Sequence, residues 1–191
     1  MARPRSEDKR NAILDAATQV IAVEGVSAPT AKIAKVAGVA EGTLFNYFNN
    51  KDELLNELYV QLKSELREVM VSEAFTAAKN AKSAVQQAWT RYVSWGVANP
   101  QKRKVLAQLG VSERITQQSK AAGMVGFTEI NAFLSRSVGS KILRQQPAAF
   151  VGSLLGAIAE TTMDFISRDP GRVEQYSQAG FEAFWNSLDP K

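Results

Sequence analysis

Residues 37–55 read AGVAEGTLFNYFNNKDELL and combine aromatic, polar and basic side chains of the kind that contact nucleic acid. Phe45 can pack on a thymine methyl, and the hydroxyl of Tyr47 can bond a phosphate or a base edge. Gly42 weakens a helix by up to about 1 kcal/mol relative to alanine, which makes sense if the backbone must approach another molecule closely. Lys51 would oppose the dipole of a helix that begins there unless an anion, such as a phosphate, binds beside it.

Each of these residues also has an ordinary structural explanation, because the two rings could pack on neighbouring helices and the lysine could be solvated. The combination of a turn, a glycine, aromatic residues and a lysine at the start of a helix favours nucleic-acid binding. Two arginines of the leading arm could follow the DNA backbone or enter a minor groove. The predicted DNA-contacting residues are Arg3, Arg5, Thr30, Glu41, Gly42, Thr43, Phe45, Asn46, Tyr47 and Lys51.

Helices must position these side chains, because apolar residues recur every three or four positions along almost the whole chain. We predict an all-α protein of about nine helices, the first three near residues 6–23, 30–37 and 41–48. The turn Gly38-Val39-Ala40 between the second and third matches a helix-turn-helix, whose second helix enters the DNA major groove. Leu44 and Phe48 are four residues apart and share the predicted buried face, which leaves Phe45, Asn46 and Tyr47 outside it or on its rim.

The later helices are predicted from caps and prolines. Asn50, with Glu53 three residues on, predicts the capped start of a fourth helix that carries an apolar seam at Leu55, Leu58, Leu62 and Leu66. Asn-Pro, Gln-Pro and Asp-Pro pairs mark further boundaries and give helices near 83–98, 101–109, 117–138, 147–168 and 170–188. Residues 1–50 are therefore predicted to form the DNA-binding domain, and residues 51–191 a larger helical body.

The composition narrows the classes of function. The chain has 191 residues with 45% hydrophobic content, enough to bury a core, and a formal charge of +4, which permits a polyanionic partner. It has no cysteine and no histidine, which removes the commonest metal ligands, so we predict no metal site, no cofactor and no catalytic residues. Neither a membrane span nor an export signal is evident, so the expected location is the cytoplasm and no membrane partner is expected.

The eighth predicted helix is apolar on almost every side, because Ser153 is the only polar residue from Ala148 to Ala159. One stripe can face the body and another a second subunit, with small residues allowing close approach. The alternative is a central core helix, but a two-fold dimer is also what a palindromic DNA site requires. The predicted homodimer interface contains Phe150, Leu154, Gly156, Ile158, Phe181, Phe184 and Trp185.

The stretch TAKIAKVAGVAEGTLFNYFNNKDELL, residues 30–55, closely resembles the DNA-binding signature of TetR-family transcriptional repressors. The resemblance implies an Ω-shaped homodimer, with a DNA-binding domain of helices 1 to 3 and a divergent ligand-binding body. Ala40 departs from the serine or threonine that usually caps the third helix, which costs about 1 kcal/mol of helix stability. Phe45 replaces the usual tyrosine, so that a hydroxyl contact becomes an apolar one.

The same resemblance implies a small-molecule effector site. Trp89 and Tyr92 share one stripe of the fifth helix, and Tyr59 and Lys63 lie one turn apart on the fourth. Aromatic residues with a few polar groups are common in pocket linings, and they are just as common in cores. The predicted ligand-binding residues are Tyr59, Lys63, Trp89, Tyr92, Ser137, Gly152 and Leu155.

These observations predict a dimeric transcriptional repressor that occupies a palindromic double-stranded operator until a small hydrophobic or cationic molecule binds its body. The ligand would favour a conformation in which helix 4 moves the two recognition helices away from successive major grooves. A TetR-type activator or an effector-independent DNA-binding protein remains an alternative. An all-α enzyme has only Glu160, Asp164 and Tyr59 as candidate groups, with no spacing that pairs an acid with a base.

Overall fold

The computed structural model describes residues 6–71, 80–127, 130, 143 and 145–188. Within these ranges the chain forms nine α-helices and two 3-10 turns, and it contains no strand. The prediction of an all-α fold is confirmed. The helices are α1 (Glu7–Glu24), α2 (Thr30–Val36), α3 (Glu41–Tyr47), α4 (Lys51–Met70), α5 (Ala81–Ala98), α6 (Pro100–Gly110), α7 (Gln117–Met124), α8 (Ala148–Arg168) and α9 (Val173–Ser187).

Two of the predicted helices begin or end elsewhere than the pattern indicated. The helix predicted over 117–138 ends at Met124 and continues as the 3-10 turn Val125–Phe127, beyond which most of the predicted range lies outside the described residues. The helix predicted over 170–188 begins as the 3-10 turn Pro170–Arg172, and α9 starts only at Val173. Glycines lie at both places, and glycine disfavours a regular α-helix.

The first of two compact units comprises the chain up to Ser64 together with Asn99–Met124, and we call it unit 1. Its core joins apolar residues of α1 to α4 with others from α6 and the loop that follows. The domain boundary after residue 50 stays a prediction. Residues of α4, α6 and the following loop, all beyond position 50, complete the core on which the helix-turn-helix packs. The members of this core include Ile13, Leu14, Ile21, Ile33, Leu44, Phe48, Leu55, Leu58, Val105, Leu109 and Ile115.

Packing rather than capping stabilises α2 and α3. Each has seven residues, and the residues at their N-caps, Pro29 and Ala40, make no side-chain capping bond. Thr30 is the first helical residue of α2. Helices this short are unstable alone in water, so α2 and α3 depend on the core beneath them. Gly38 joins them with a φ of 68°, in the left-handed region that glycine adopts without strain.

The start of α4 is capped as predicted. Asn50 Oδ1 accepts a hydrogen bond of 2.8 Å from the backbone N–H of Glu53. The Glu53 carboxylate in turn accepts the N–H of Asn49 at 2.7 Å, so the reciprocal bond forms one residue earlier than in a standard capping box. These bonds determine where Lys51 enters the helix.

The second compact unit, unit 2, comprises residues 65–98 and the described residues from 125 onward. Trp89 of α5 stacks on Phe184 of α9, with ring centroids 6.4 Å apart and ring planes inclined by 7°. A Cβ atom on Gly180 of α9 would lie 2.2 Å from Thr162 Oγ1 of α8 and 2.7 Å from Trp89 Cζ2. Only glycine therefore permits this approach of α9 to α8 and α5. Among the described residues, no helix is long and apolar enough to cross a membrane.

Candidate nucleic-acid interface

The buried and exposed faces of α3 divide as the sequence predicts. Leu44 and Phe48 are fully buried, whereas the ring of Phe45 is 41% exposed and Asn46 lies in solvent. Among the described residues no atom lies within 4 Å of the position that a Cβ on Gly42 would take. Folding of unit 1 therefore gives no reason for a glycine or a large exposed ring on this surface.

Tyr47 connects α3 to the beginning of α1. Its hydroxyl oxygen accepts a hydrogen bond of 3.2 Å from the backbone N–H of Ser6. A phenolic hydroxyl can donate its own proton at the same time, so the group can still bond a phosphate. Arg3 and Arg5, predicted to contact DNA from the arm before Ser6, lie outside the described residues.

The starts of α2 and α3 meet through a side-chain contact. The Thr30 hydroxyl donates to Glu41 Oε1 at 2.6 Å, on the surface of unit 1. Gly42 is exposed and Thr43 is partly buried on the first turn of α3. The structure thus brings Thr30, Glu41 and the exposed residues of α3 to neighbouring positions of one unit, as a helix-turn-helix requires.

Lys51, the first residue of α4, has a basic neighbour that the sequence did not reveal. Partial burial and the nearby Arg114 guanidinium lower the pKa of Lys51, and the adjacent Asp52 carboxylate opposes that shift. Arg114 follows α6 in the chain and forms an ion pair with Asp52, with 2.7 Å between Nη1 and Oδ1. Earlier along α1, Arg10 pairs with Glu57 and lies over the Phe48 ring.

Two of the predicted ligand-binding residues, Tyr59 and Lys63, are neighbours in unit 1. Burial raises the pKa of the Tyr59 hydroxyl and lowers the pKa of the Lys63 amine. A Cβ on Gly123 of α7 would lie 3.0 Å from both Tyr59 Cε1 and Lys63 Cγ, so α7 packs directly on this pair. Tyr59 is therefore buried and Lys63 partly buried beneath α7.

The other described members of the predicted ligand set belong to unit 2. Trp89 is only 1% exposed, and its indole N–H donates to the backbone oxygen of Ser177 at 2.9 Å. Leu155 is buried, Tyr92 and Gly152 are partly buried, and Ser137 lies outside the described residues. Trp89 is thus almost fully buried in unit 2, and it also belongs to the lining of a groove on that unit.

A groove of about 530 Å³ opens between α5 and α9 beside Trp89. We call its buried apolar lining, Trp89, Val93 and Phe181, the floor, and its more exposed polar lining the rim. Volumes of this size are typical of small-molecule sites. The sequence predicted Trp89 at a ligand pocket but did not indicate that α9 lines it, because periodicity does not reveal which faces of two distant helices lie opposite each other. The rim contains Gln86, Thr90, Ser94, Glu174, Ser177 and Gln178.

The predicted dimer residues divide into two groups. Phe181, Phe184 and Trp185 are buried inside the single chain, where they pack around Trp89 or one another, so we remove them from the predicted dimer surface. Gly156 is partly buried. The remaining residues belong to a stripe along the outer side of α8 that contains no charge. This α8 stripe consists of Phe150, Leu154, Ala157, Ile158, Thr161 and Phe165, and Phe150 is 48% exposed.

Residues 13–58 match the family model described as "Bacterial regulatory proteins, tetR family". A curated relative, the fatty acid metabolism regulator protein of Bacillus subtilis, is 44% identical over 59 residues, which are 30% of each chain. The match thus spans about a third of the length of the curated relatives. The segment that the family model matches contains α2, α3 and the start of α4, where all the predicted DNA-contacting residues except Arg3 and Arg5 lie.

Solved structures resemble the chain over nearly its full length. One from Shewanella sp. PV-4, assigned to the tetR family of transcription regulators, has a TM-score of 0.81 and 25% identity, covering 96% of this chain and 98% of that one. The TetR-like regulator LfrR of Mycobacterium smegmatis, solved with proflavine, has a TM-score of 0.68 and 20% identity, covering 93% and 95% of the two chains. The fold and these relatives are those of transcription regulators rather than enzymes.

Proposed function

We propose, on the premise that this chain is a TetR-family transcriptional regulator, that it binds a palindromic operator through α3 and the start of α4. The observation that supports this proposal is the outer surface of α3. Phe45 is exposed there beside Gly42, and no packing among the described residues explains either residue. An exposed ring can contact a thymine methyl in the major groove, and a glycine permits close approach to the backbone.

We further propose that the protein acts as a homodimer whose contact includes the α8 stripe. A palindromic operator presents two equivalent half-sites, so a two-fold dimer can place one α3 on each. The α8 stripe supports this assignment, because an uncharged row of apolar side chains is costly to leave in water. A second copy that packs its own α8 stripe against this one buries the apolar side chains of both subunits.

The regulator is proposed to repress transcription until a small effector releases it from DNA. The effector site that we propose is the groove beside Trp89, which keeps Trp89 of the predicted ligand-binding set in the lining and adds residues of α9. Its apolar floor and the Glu174 carboxylate on its rim suit a flat organic cation, a class that includes the proflavine bound to LfrR. We also propose a narrower similarity, that of VAEGTLFNYF and GFEAFW to RamR-like regulators of multidrug efflux.

The direct test is selection of sites from a randomised duplex library by the purified protein, followed by titration of a selected duplex at several salt concentrations. We expect an inverted repeat to be enriched. The logarithm of affinity should fall steeply with the logarithm of salt concentration, by a slope of about 0.9 for each phosphate neutralised. Failure to enrich an inverted repeat, or a slope near zero, contradicts operator binding.

Two variants then test the residue assignments. Lys51→Ala should weaken binding to all duplexes alike, whereas Phe45→Ala should lose discrimination mainly at a thymine position. Lys104→Ala, at an exposed lysine of α6, removes the same charge as Lys51→Ala and serves as its control. Equal binding by Lys51→Ala, Phe45→Ala and the unaltered protein would mean that another surface contacts DNA.

A further inference from the structure

Arg114 follows α6 in the chain, but hydrogen bonds attach its loop to the first turns of α4. The Asn56 amide donates to the backbone oxygen of Arg114 at 2.9 Å and accepts the backbone N–H of Thr116 at 2.9 Å. The amide also donates to the backbone oxygen of Asp52 at 2.7 Å. The backbone of this loop is thus held by Asn56, independently of the Arg114 side chain.

The Arg114 guanidinium is held at the start of α4. Its Nη1 lies 2.7 Å from Asp52 Oδ1, and about half of each side chain is exposed to solvent. The bond to Asp52 uses one of the five N–H donors of a guanidinium, which is a planar group suited to phosphate. Donors therefore remain on the solvent side of Arg114.

Four charged groups meet at this end of α4. Asp52 is paired with Arg114, and the Glu53 carboxylate accepts the N–H of Asn49. Burial lowers the pKa of the Lys51 amine most, the Arg114 guanidinium lowers it further, and the Asp52 carboxylate raises it. Lys51 precedes Asp52 in the chain and Arg114 is paired with it, so both cations adjoin one carboxylate at the start of α4. An anion bound beside them would offset the repulsion between the two cations.

We propose that Arg114 is a DNA-contacting residue, which together with Lys51 binds the phosphate backbone at the start of α4. This inference rests on the proposed function. It adds to the interface a residue from outside the helix-turn-helix segment and 62 positions along the chain from Asp52, its ion-pair partner. Asp52 then acts as a positioning residue, which orients the guanidinium while lowering the local positive charge.

The competing explanation is that Arg114 only anchors its loop through Asp52, and the two explanations predict opposite effects for one substitution. If Arg114 is an anchor, Asp52→Asn and Arg114→Gln both break the same ion pair and change DNA binding in the same way. If Arg114 binds phosphate, Arg114→Gln weakens binding but Asp52→Asn tightens it, because a carboxylate near the phosphate is removed. Both variants should fold, since exposed ion pairs stabilise proteins by about 1 kcal/mol or less.

The measurement is the affinity of the full-length protein for a labelled random-sequence duplex at several salt concentrations, since phosphate contacts do not depend on sequence. We expect Arg114→Gln to reduce the salt slope by about one for each subunit that contacts the duplex. That change in slope corresponds to a DNA affinity about fivefold lower for each contacting subunit at 0.15 M salt. Arg114→Lys, which keeps the charge, should retain most of the slope.

Arg172→Gln is the matched control, because Arg172 also forms an exposed ion pair with an aspartate, Asp169, but belongs to unit 2. It changes the net charge equally and should leave the slope unaltered. The inference is overturned if Arg114→Gln binds like Arg172→Gln, or if Asp52→Asn weakens binding as Arg114→Gln does. If the unaltered protein shows no salt-dependent binding, the proposed function fails instead.

Discussion

Gly42 in α3 and Gly180 in α9 are both helical glycines, and their surroundings are opposite. A Cβ on Gly180 would collide with Thr162 and Trp89 of the same unit, whereas a Cβ on Gly42 would meet no described atom within 4 Å. Gly180 is explained by the packing of unit 2. Gly42 lowers helix stability without any internal gain, which indicates that its benefit comes from a molecule outside the chain.

The same contrast separates the aromatic residues of the two helices. On α9, Phe181 and Phe184 are buried around Trp89, so the rings stabilise the fold. On α3 the ring of Phe45 is exposed, although Phe48 nearby is fully buried. An exposed apolar ring therefore indicates a binding surface only when the packing of the neighbouring residues does not explain it. Three experiments can break or sharpen this comparison.

The largest effect is expected on the α8 stripe, whose side chains are partly or fully exposed on unit 2, as Phe45 is exposed on α3. Leu154→Glu should convert the proposed dimer to a monomer, because two copies of the carboxylate would be buried at the contact without partners. Leu154 is only partly buried in the single chain, so the variant should remain folded. Analytical ultracentrifugation and circular dichroism together measure this. A folded dimer would exclude the stripe from the contact.

An intermediate effect is expected for the paired substitutions Gly180→Ala and Gly42→Ala. Overpacking of a core costs about 1–3 kcal/mol, so Gly180→Ala should lower the free energy of unfolding by that amount or more. Gly42→Ala should raise it by up to about 1 kcal/mol and should weaken DNA binding. Urea unfolding and duplex titration measure both. The comparison fails if the two variants change stability in the same direction.

The smallest effect is expected at the groove between α5 and α9. Glu174→Gln should weaken the binding of proflavine by about fivefold, because an exposed charge pair contributes about 1 kcal/mol or less. Glu113→Gln removes the same charge from unit 1 and is the control. Fluorescence anisotropy of proflavine measures the affinity, and operator DNA should reduce it as much as proflavine reduces DNA affinity. Equal binding by all three proteins would exclude this groove as the cation site.

The sequence predicted the α-helical class, most helix bounds and the two faces of α3, because these depend on local periodicity and capping. Leu44, Phe48 and the Asn50 cap lie as expected. Sequence reasoning failed where the outcome depends on which helices meet. Phe181, Phe184 and Trp185 were expected at a dimer contact, but the structure buries them against α5 or against one another.

Arg114 and the contribution of α9 to the groove beside Trp89 were missed for the same reason. The ion pair of Arg114 with Asp52 joins residues 62 positions apart, and no motif spacing indicates that contact. The groove exists because Val93 of α5 lies opposite Phe181 of α9, which is a property of tertiary packing. The α3 surface was predictable because a single short helix contains all of it.

The core of unit 1 is built from two stretches of chain that the whole of α5 separates. Ile13 and Leu44 come from the first stretch, whereas Val105, Leu109 and Ile115 come from the second. At a synthesis rate of roughly 5–20 residues per second, the interval between Leu44 and Ile115 is on the order of several seconds. During that interval α2 and α3 are too short to be stable by themselves. On the ribosome, the core on which α3 packs is therefore complete only after α6 has been made.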